Sequence, residues 1–209
     1  DTILLMRDFH PDDELASPEG YSPQITPEEF DPGIPNQMLD FILRTEPTEV
    51  VDTDLFAVMK KRRSTRKFSD KPVETVKIDK IIAAADTAPT AGNFQGFEIF
   101  YIKSPEKRRS LVDACNHQSY VDAPVVLVFC KNPSRVKFNF PPYILRKFAI
   151  QDATLAAGYS QLAAQALGLS SIWIGMFDEQ KIMDVLKTDL VPSSVLCICL
   201  LYTSDAAAE

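Results

Sequence analysis

From Asp54 onward the apolar positions recur with two alternating periods, and each change of period marks a new element. Leu55, Val58 and Met59 share one face of a short helix that Asp52 or Asp54 can cap, ending in the basic run Lys60-Lys-Arg-Arg63. Cations suit the negative end of a helix. Lys77–Asp86 predicts a second helix, with Ile78, Ile81, Ile82 and Ala85 on one face and Pro89 as its stop. Phe97–Ile102 reads as a strand and Pro105–Cys115 as a helix. Val125–Phe129 is apolar at every position, which predicts a central strand covered on both faces. Lys147–Leu167 is the longest helix, closed by Gly168 as its C-terminal cap. Its alanines and leucines lie nearly all round, so burial on several sides is expected. Ser171–Ile174 predicts a strand, Glu179–Leu186 a helix and Val195–Tyr202 a final strand. The alternation implies a sheet covered by helices, and no internal repeat is visible.

The first 50 residues have a different texture. They carry twelve acidic and two basic side chains and seven of the fifteen prolines. Such a composition cannot bury enough apolar surface to order itself alone. It is expected to wrap another surface or stay mobile, with Met38–Leu43 able to form a short docked helix. The expected division is an acidic, proline-rich extension over 1–50 and a folded domain over 51–198. Residues 199–209 resemble, apart from Ala208, the translation of a transposase adaptor used in sequencing libraries, and are expected not to be native. The chain begins at Asp1 rather than Met, so upstream residues, and any targeting peptide with them, are expected to be missing.

Composition narrows the function classes. The 209 residues suit one domain with an appendage, and 45% apolar with 24% charged residues is that of a globular protein with a sizeable core. The longest apolar run, Val195–Tyr202, is far short of the roughly 20 residues of a membrane-spanning helix. Four cysteines (115, 130, 197 and 199) form no CxxC pair, and His10 and His117 are far apart, so neither a zinc site nor a disulfide framework is expected. A reducing compartment, and hence the cytoplasm, is the expected location. The net charge of −7 speaks against nucleic acid as main partner, but the first 50 residues contribute −10 of it, leaving about +3 on the remainder.

Three segments carry candidate chemistry. Arg62-Arg63-Ser64-Thr65-Arg66 places three guanidinium groups and hydroxyls within five residues, a donor set that matches phosphate oxygens. On spacing alone a solvated basic helix end is the favoured reading. Ala88-Pro-Thr-Ala-Gly-Asn-Phe-Gln95 joins a helix to a strand. Its small residues let a flat ring approach the backbone, and Asn93 and Gln95 offer paired donors and acceptors to a heterocycle edge. An ordinary turn has the same residues. Trp173-Ile-Gly175-Met-Phe-Asp178 is a strand leaving its sheet before a capped helix, a place where freed backbone N–H groups point outward.

In this order the segments resemble the nitroreductase family, over about Asp54–Leu196. Arg62–Phe68 is similar to the family's Arg-Arg-Ser-x-Arg-x-Phe, and Ala88–Gln95 to its Ala-Pro-Ser-x-x-Asn-x-Gln. Ala123–Phe129, the helix beginning Ile150-Gln-Asp-Ala153, and Ala166–Ser170 fall where the family has similar pieces. One departure is visible: the family usually follows Gln with Pro-Trp, whereas Gly96-Phe97 follows Gln95 here, which bears on substrate stacking.

The resemblance implies an α+β fold with a helix-covered mixed sheet, an intertwined homodimer, and FMN at the dimer interface. By it, Arg62, Arg63 and Ser64 would hold the FMN phosphate and ribityl chain, and Arg66 would lie near N1 and O2 of the ring. Pro89, Thr90, Ala91 and Asn93, with Gln95, would cover the ring from the second subunit. Ile174 and Gly175 would present backbone groups toward N5 and O4, and Asn116 and Gln118 would meet the pyrimidine edge. The implied activity is transfer of hydride from NAD(P)H through FMN to a nitroaromatic, quinone or related small acceptor, with no side chain acting as nucleophile. Lys131–Tyr143, with Phe138, Phe140 and Tyr143, is either the variable wall over the flavin or a core-packing loop. A flavin reductase, an azoline-type dehydrogenase and a non-catalytic FMN-binding module remain alternatives. A deiodinase-like enzyme is disfavoured, because Phe97–Pro124 leaves no room for that subgroup's long lid.

Overall fold

The computed structural model describes Thr2–Leu4 and residues 54–200. The elements are β1 (Thr2–Leu4), α1 (Leu55–Lys61), α2 (Thr75–Asp86), β2 (Phe97–Ile102), α3 (Pro105–Ala114), β3 (Val125–Lys131), α4 (Pro142–Ala166), β4 (Leu169–Ile174), α5 (Glu179–Leu186) and β5 (Val191–Leu200). The expected helix over Met38–Leu43 and all of 201–209 lie outside the described residues. Cys199 and Leu200 complete β5, opposite Ser170 and Leu169 of β4.

Caps set most boundaries. Asp54, rather than Asp52, starts α1, its Oδ1 accepting from Phe56 N at 2.9 Å and Ala57 N at 3.3 Å. Ser104 and Asp178 do the same for α3 and α5. Gly168, at φ 73°, ends α4 as expected. Thr75, Lys131 and Leu169 extend α2, β3 and β4 by two residues beyond the sequence expectation, and the two larger differences both involve proline. Helix α4 begins at Pro142, not Lys147, since proline is tolerated in a first turn where its missing N–H has no intrahelical acceptor. Strand β5 begins at Val191, not Val195, and Pro192 pairs opposite Cys130 where the β3–β5 register shifts, a place where proline costs no ladder bond.

The five strands form one sheet in the order β1-β2-β3-β5-β4. The strand ladders are antiparallel. The parallel component of the sheet is an isolated bridge between Ser64 and Ser171, on the outer edge of β4. Strand β3 is central, as its unbroken apolar run implied. Alternation divides its side chains: Val125, Leu127 and Phe129 join the core under α2 and α4, while Val126, Val128 and Cys130 join the core under α3 and α5. Strands β2 and β5 divide likewise, so the sheet is sandwiched between two helical layers.

Helix α4 buries Ala149, Ala153, Ala156, Ala157 and Ala164 against α2 and the sheet. Within the single chain the burial expected on several sides is incomplete, for Tyr143, Ile150, Leu155 and Tyr159 are exposed along α4, and Leu55, Phe56 and Met59 along α1.

Candidate functional site

The antiparallel pairing brings four strand ends together. The start of β2 lies opposite the end of β3, the end of β3 opposite the start of β5, and Ile174 at the end of β4 opposite Val195. Segments that leave the sheet here face a common region, and all three sequence candidates reach or approach it.

The basic segment runs along the free edge of β4. Thr65 N–H donates to Ser171 O at 3.1 Å, and Ser64 forms the parallel bridge. Because the pairing is parallel, the segment advances from Arg62 to Arg66 in the same sense as β4, so Arg66 lies toward the Ile174–Gly175 end. Arg66, Lys67 and Ser64 are exposed and Arg62 is half-buried. Arg63 is folded back on α1, its Nη1 donating to the carbonyls of Lys60 and Arg62.

The exit of β4 is fixed by the end of α3. Asp178 N–H donates to Ala114 O at 2.8 Å, and Asn116 Nδ2 donates to Met176 O at 3.3 Å. Asn116 and His117 both have positive φ, at 56° and 58°, which turns the chain sharply beside that exit. Ile174 is buried and Gly175 exposed, so the backbone opens to solvent at the position expected. Gln118 is engaged locally, its Oε1 accepting from the Tyr120 hydroxyl.

The loop holding Pro89, Thr90, Ala91, Asn93 and Gln95 is wound tightly before β2. Gly92, Asn93 and Gln95 have φ of 57°, 58° and 44°, left-handed values that cost non-glycine residues energy unless surrounding contacts impose them. The contacts here are several. Gln95 N–H donates to Thr90 Oγ1 at 3.2 Å, and Gln95 Nε2 donates to Asn93 Oδ1 at 2.7 Å. Asp152 of α4, 2% exposed, accepts from Ala91 N–H through Oδ1 and from Gly96 N–H through Oδ2, each at 3.0 Å. Burial pushes the Asp152 carboxyl up from its ordinary range, against the pull of those two N–H groups. Phe94 and Phe138 meet edge to face at 5.0 Å, and Phe138 also touches Phe140 and Phe148. A Cβ on Gly92 would stand 2.6 Å from Phe138 Cζ. The 132–136 turn is pinned in turn, since Glu98 Oε1 accepts from Asn132 Nδ2 and Arg135 Nη1.

The candidates therefore fall into two groups. Arg62, Arg63, Ser64, Arg66, Ile174, Gly175 and Asn116 gather around the end of β4. Pro89, Thr90, Ala91, Asn93 and Gln95 gather at the head of β2. In the sheet order β3 and β5 stand between them, a separation of roughly 14 Å at the usual strand spacing. Phe97, which replaces the family's tryptophan, is a fully buried core residue and offers no stacking surface. Sequence reasoning missed Asp152 and Met176. Asp152 left a signal: it is the charged member of the track Ala149, Asp152, Ala153, Ala156, whose spacing marks a buried face.

Known proteins share this chain's fold and match it over much of its sequence. The chain is 29% identical over 137 residues to a protein of Archaeoglobus fulgidus named for NADH dehydrogenase or NAD(P)H nitroreductase activity, covering 65% of this chain and 75% of that one. It is 29% identical over 139 residues to an FMN reductase [NAD(P)H] of Bacillus subtilis, covering 60% and 56%. The solved structure of the NfrA1 nitroreductase from B. subtilis superposes with a TM-score of 0.67 at 25% identity, covering 72% of this chain and 67% of that one. The family model described as the nitroreductase family matches residues 59–121 and 116–201, and with that match the chain belongs to the nitroreductase family.

Proposed function

We propose that the protein is an FMN-dependent oxidoreductase that passes reducing equivalents from NAD(P)H to a small acceptor, a nitroaromatic or a quinone, and that it works as a homodimer. One observation carries the reading: the Ser64–Ser171 bridge lays an arginine-rich segment against the strand whose end opens at Gly175. That puts phosphate-binding cations and free backbone groups on one edge, the donor set a flavin mononucleotide requires. The relative named FMN reductase [NAD(P)H] supports the choice of cofactor and donor, although this chain spans 56% of its length.

FMN, when bound, supplies the centre that takes hydride from the nicotinamide and delivers reducing equivalents to the acceptor. The protein's part is position and electrostatics. Arg62, Arg63 and Ser64 bind the phosphate and ribityl end, with Arg63 leaving its helix carbonyls to do so. Arg66, further along the same edge, favours negative charge on the pyrimidine side of the ring. Ile174 and Gly175 orient the ring through backbone groups, and Asn116 sets the exit of β4 from which they project.

The division of the site supports the dimer reading. The loop Pro89–Gln95 and the basic edge are separated by two strands, so the loop of one subunit covers the ring held by the other. The exposed apolar side chains Leu55, Phe56, Met59, Ile150, Leu155 and Tyr159 supply the surface for that association. The Lys131–Tyr143 segment, whose Phe138 packs on Phe94 of the covering loop, is the wall on the acceptor side in this reading. A flavin acceptor in place of a nitroaromatic is the second reading, favoured by the same B. subtilis relative. The free, buried cysteines suit the reducing cytoplasm, where we place the protein.

Purified protein supplied with FMN is expected to take up the flavin's visible spectrum, to behave as a dimer by light scattering, and to oxidise NADH or NADPH when given a quinone. Dimeric protein that neither takes up FMN nor reduces any acceptor refutes this function.

A further inference from the structure

We infer that Asp152 is the positioning residue of the flavin-covering loop: its buried carboxylate clamps both ends of Ala91–Gly96 and so sets the shape of the surface laid on the flavin ring. The inference rests on the proposed flavin function and adds to it a role for a buried residue of α4.

Three observations support it. First, the carboxylate is spent entirely inside the protein, Oδ1 on Ala91 N–H and Oδ2 on Gly96 N–H, so it spans the five-residue step over which the chain reverses. Second, that stretch contains the three left-handed residues Gly92, Asn93 and Gln95. Strained backbone persists only when the surroundings over-determine it, and a charged acceptor holding the two flanking N–H groups does so with stronger contacts than a neutral one. Third, the approach depends on Gly96. A Cβ there would stand 2.8 Å from Asp152 Oδ2, 2.8 Å from Val136 Cγ2 and 3.3 Å from Ala149 Cα. A proline at this place, as in the motif this segment resembles, has neither the N–H nor the room. The two-ended clamp is therefore a property of this chain's Gln95-Gly96 sequence. Asp152 touches neither ring nor acceptor; it acts through Ala91 and Asn93.

The test compares wild type, Asp152→Asn and Asp152→Ala, with Leu111→Ala as control. Leu111 lies in the core on the other side of the sheet, so its variant loses stability without touching the loop. Two quantities are read on the full chain: affinity for riboflavin and for FMN by fluorescence titration, and hydrogen exchange of the peptide covering 88–97. Asp152→Asn keeps the volume but turns one acceptor into a donor facing an N–H. It is expected to speed exchange in 88–97 and to weaken both flavins by the same factor, about tenfold or more. The factor is shared because riboflavin lacks the phosphate and the arginines are untouched. Leu111→Ala is expected to lower the melting temperature while leaving both affinities near wild type. If Asp152→Asn exchanges like wild type, or exchanges faster but binds both flavins as tightly, the positioning role is wrong. A loss confined to FMN assigns the effect to the phosphate end and overturns it too. If Asp152→Ala fails to fold, Asp152→Asn decides the matter. Wild-type protein that binds neither flavin refutes the parent function, a result separate from any of these.

Discussion

Along the free edge of β4 the basic segment is held by the Ser64–Ser171 bridge and the N–H bond from Thr65, with Arg63 and Arg66 exposed and Arg62 half-buried. At the head of β2 the 88–96 loop is left-handed at three positions and fastened by Asp152 from α4, by an internal glutamine–asparagine bond and by the Phe138 ring. The two regions are the proposed halves of one ligand site, yet they are built by different means. A cation attracts a phosphate over several ångströms and through a range of rotamers, so its backbone needs little restraint. A loop that covers a ring works by shape, which tolerates errors of about an ångström at most, so its restraint must come from the core.

Four measurements on the two regions, and a fifth on the core, sharpen or break this contrast. The largest effect is expected from the double variant Arg62→Ala with Arg63→Ala. Losing two charge-assisted phosphate contacts should cost on the order of 3 kcal/mol or more in FMN binding, about two decades in Kd. The melting temperature of the flavin-free protein should hardly move, because these side chains are exposed or half-buried. A large stability loss would show the segment to be structural and erase the contrast.

Gly92→Ala should show the opposite pattern. The added Cβ meets Phe138 and Phe94 ring atoms at 2.6–2.9 Å, at a φ of +57°. Strain and overpacking together should cost about 3 kcal/mol of folding stability before any flavin is added. A Gly92→Ala protein as stable as wild type in urea would mean the loop is looser than its contacts suggest.

Next in size is Arg66→Ala. A cation beside the pyrimidine side of the ring is worth roughly 1.5–3 kcal/mol, so its loss should lower the two-electron potential of bound FMN by about 30–65 mV. An unchanged potential with much weaker FMN binding would move Arg66 to the phosphate instead.

The smallest effect concerns Asp152. Its carboxyl is raised from the ordinary value of 3.8, with burial as the largest cause. The folded state therefore holds the proton more tightly than the unfolded chain does. Its contribution to stability is fully present below about pH 3.8 and declines as pH rises toward the folded-state value. Asp152→Asn should remove that part of the pH dependence of the urea midpoint. A wild-type profile whose stability rises through the same window by an Asp152-dependent amount would reverse the sign and show that the two N–H bonds outweigh burial.

The thiols test the core that separates the two regions. Cys115 and Cys130 lie within it, pushed up to about 12 by burial. Neither should react with a thiol reagent at pH 8 until the protein is denatured.

Local chemistry determined much of this protein before any tertiary contact entered. The 3.6-residue track Ile78, Ile81, Ile82, Ala85 specified α2, the unbroken run Val125–Phe129 specified the central strand, and Asp54, Ser104 and Asp178 began three helices where side-chain acceptors were needed. The cationic donor set of Arg62–Arg66, for which phosphate binding is proposed, was also legible, because charge and donor geometry belong to the residues themselves. Proline hid the true starts of α4 and β5, since its first-turn and bulge uses depend on neighbours. Tertiary structure alone decided that Arg66 and Gly175 share an edge, because the Ser64–Ser171 bridge links residues more than a hundred positions apart. It alone decided that the 88–96 loop stands two strands away and is shaped by Asp152. A hydrogen bond between Asp152 and Ala91 has no local period or spacing to announce it; it exists only once α4 has packed against the sheet and brought a buried carboxylate to the N–H groups that flank the strained stretch.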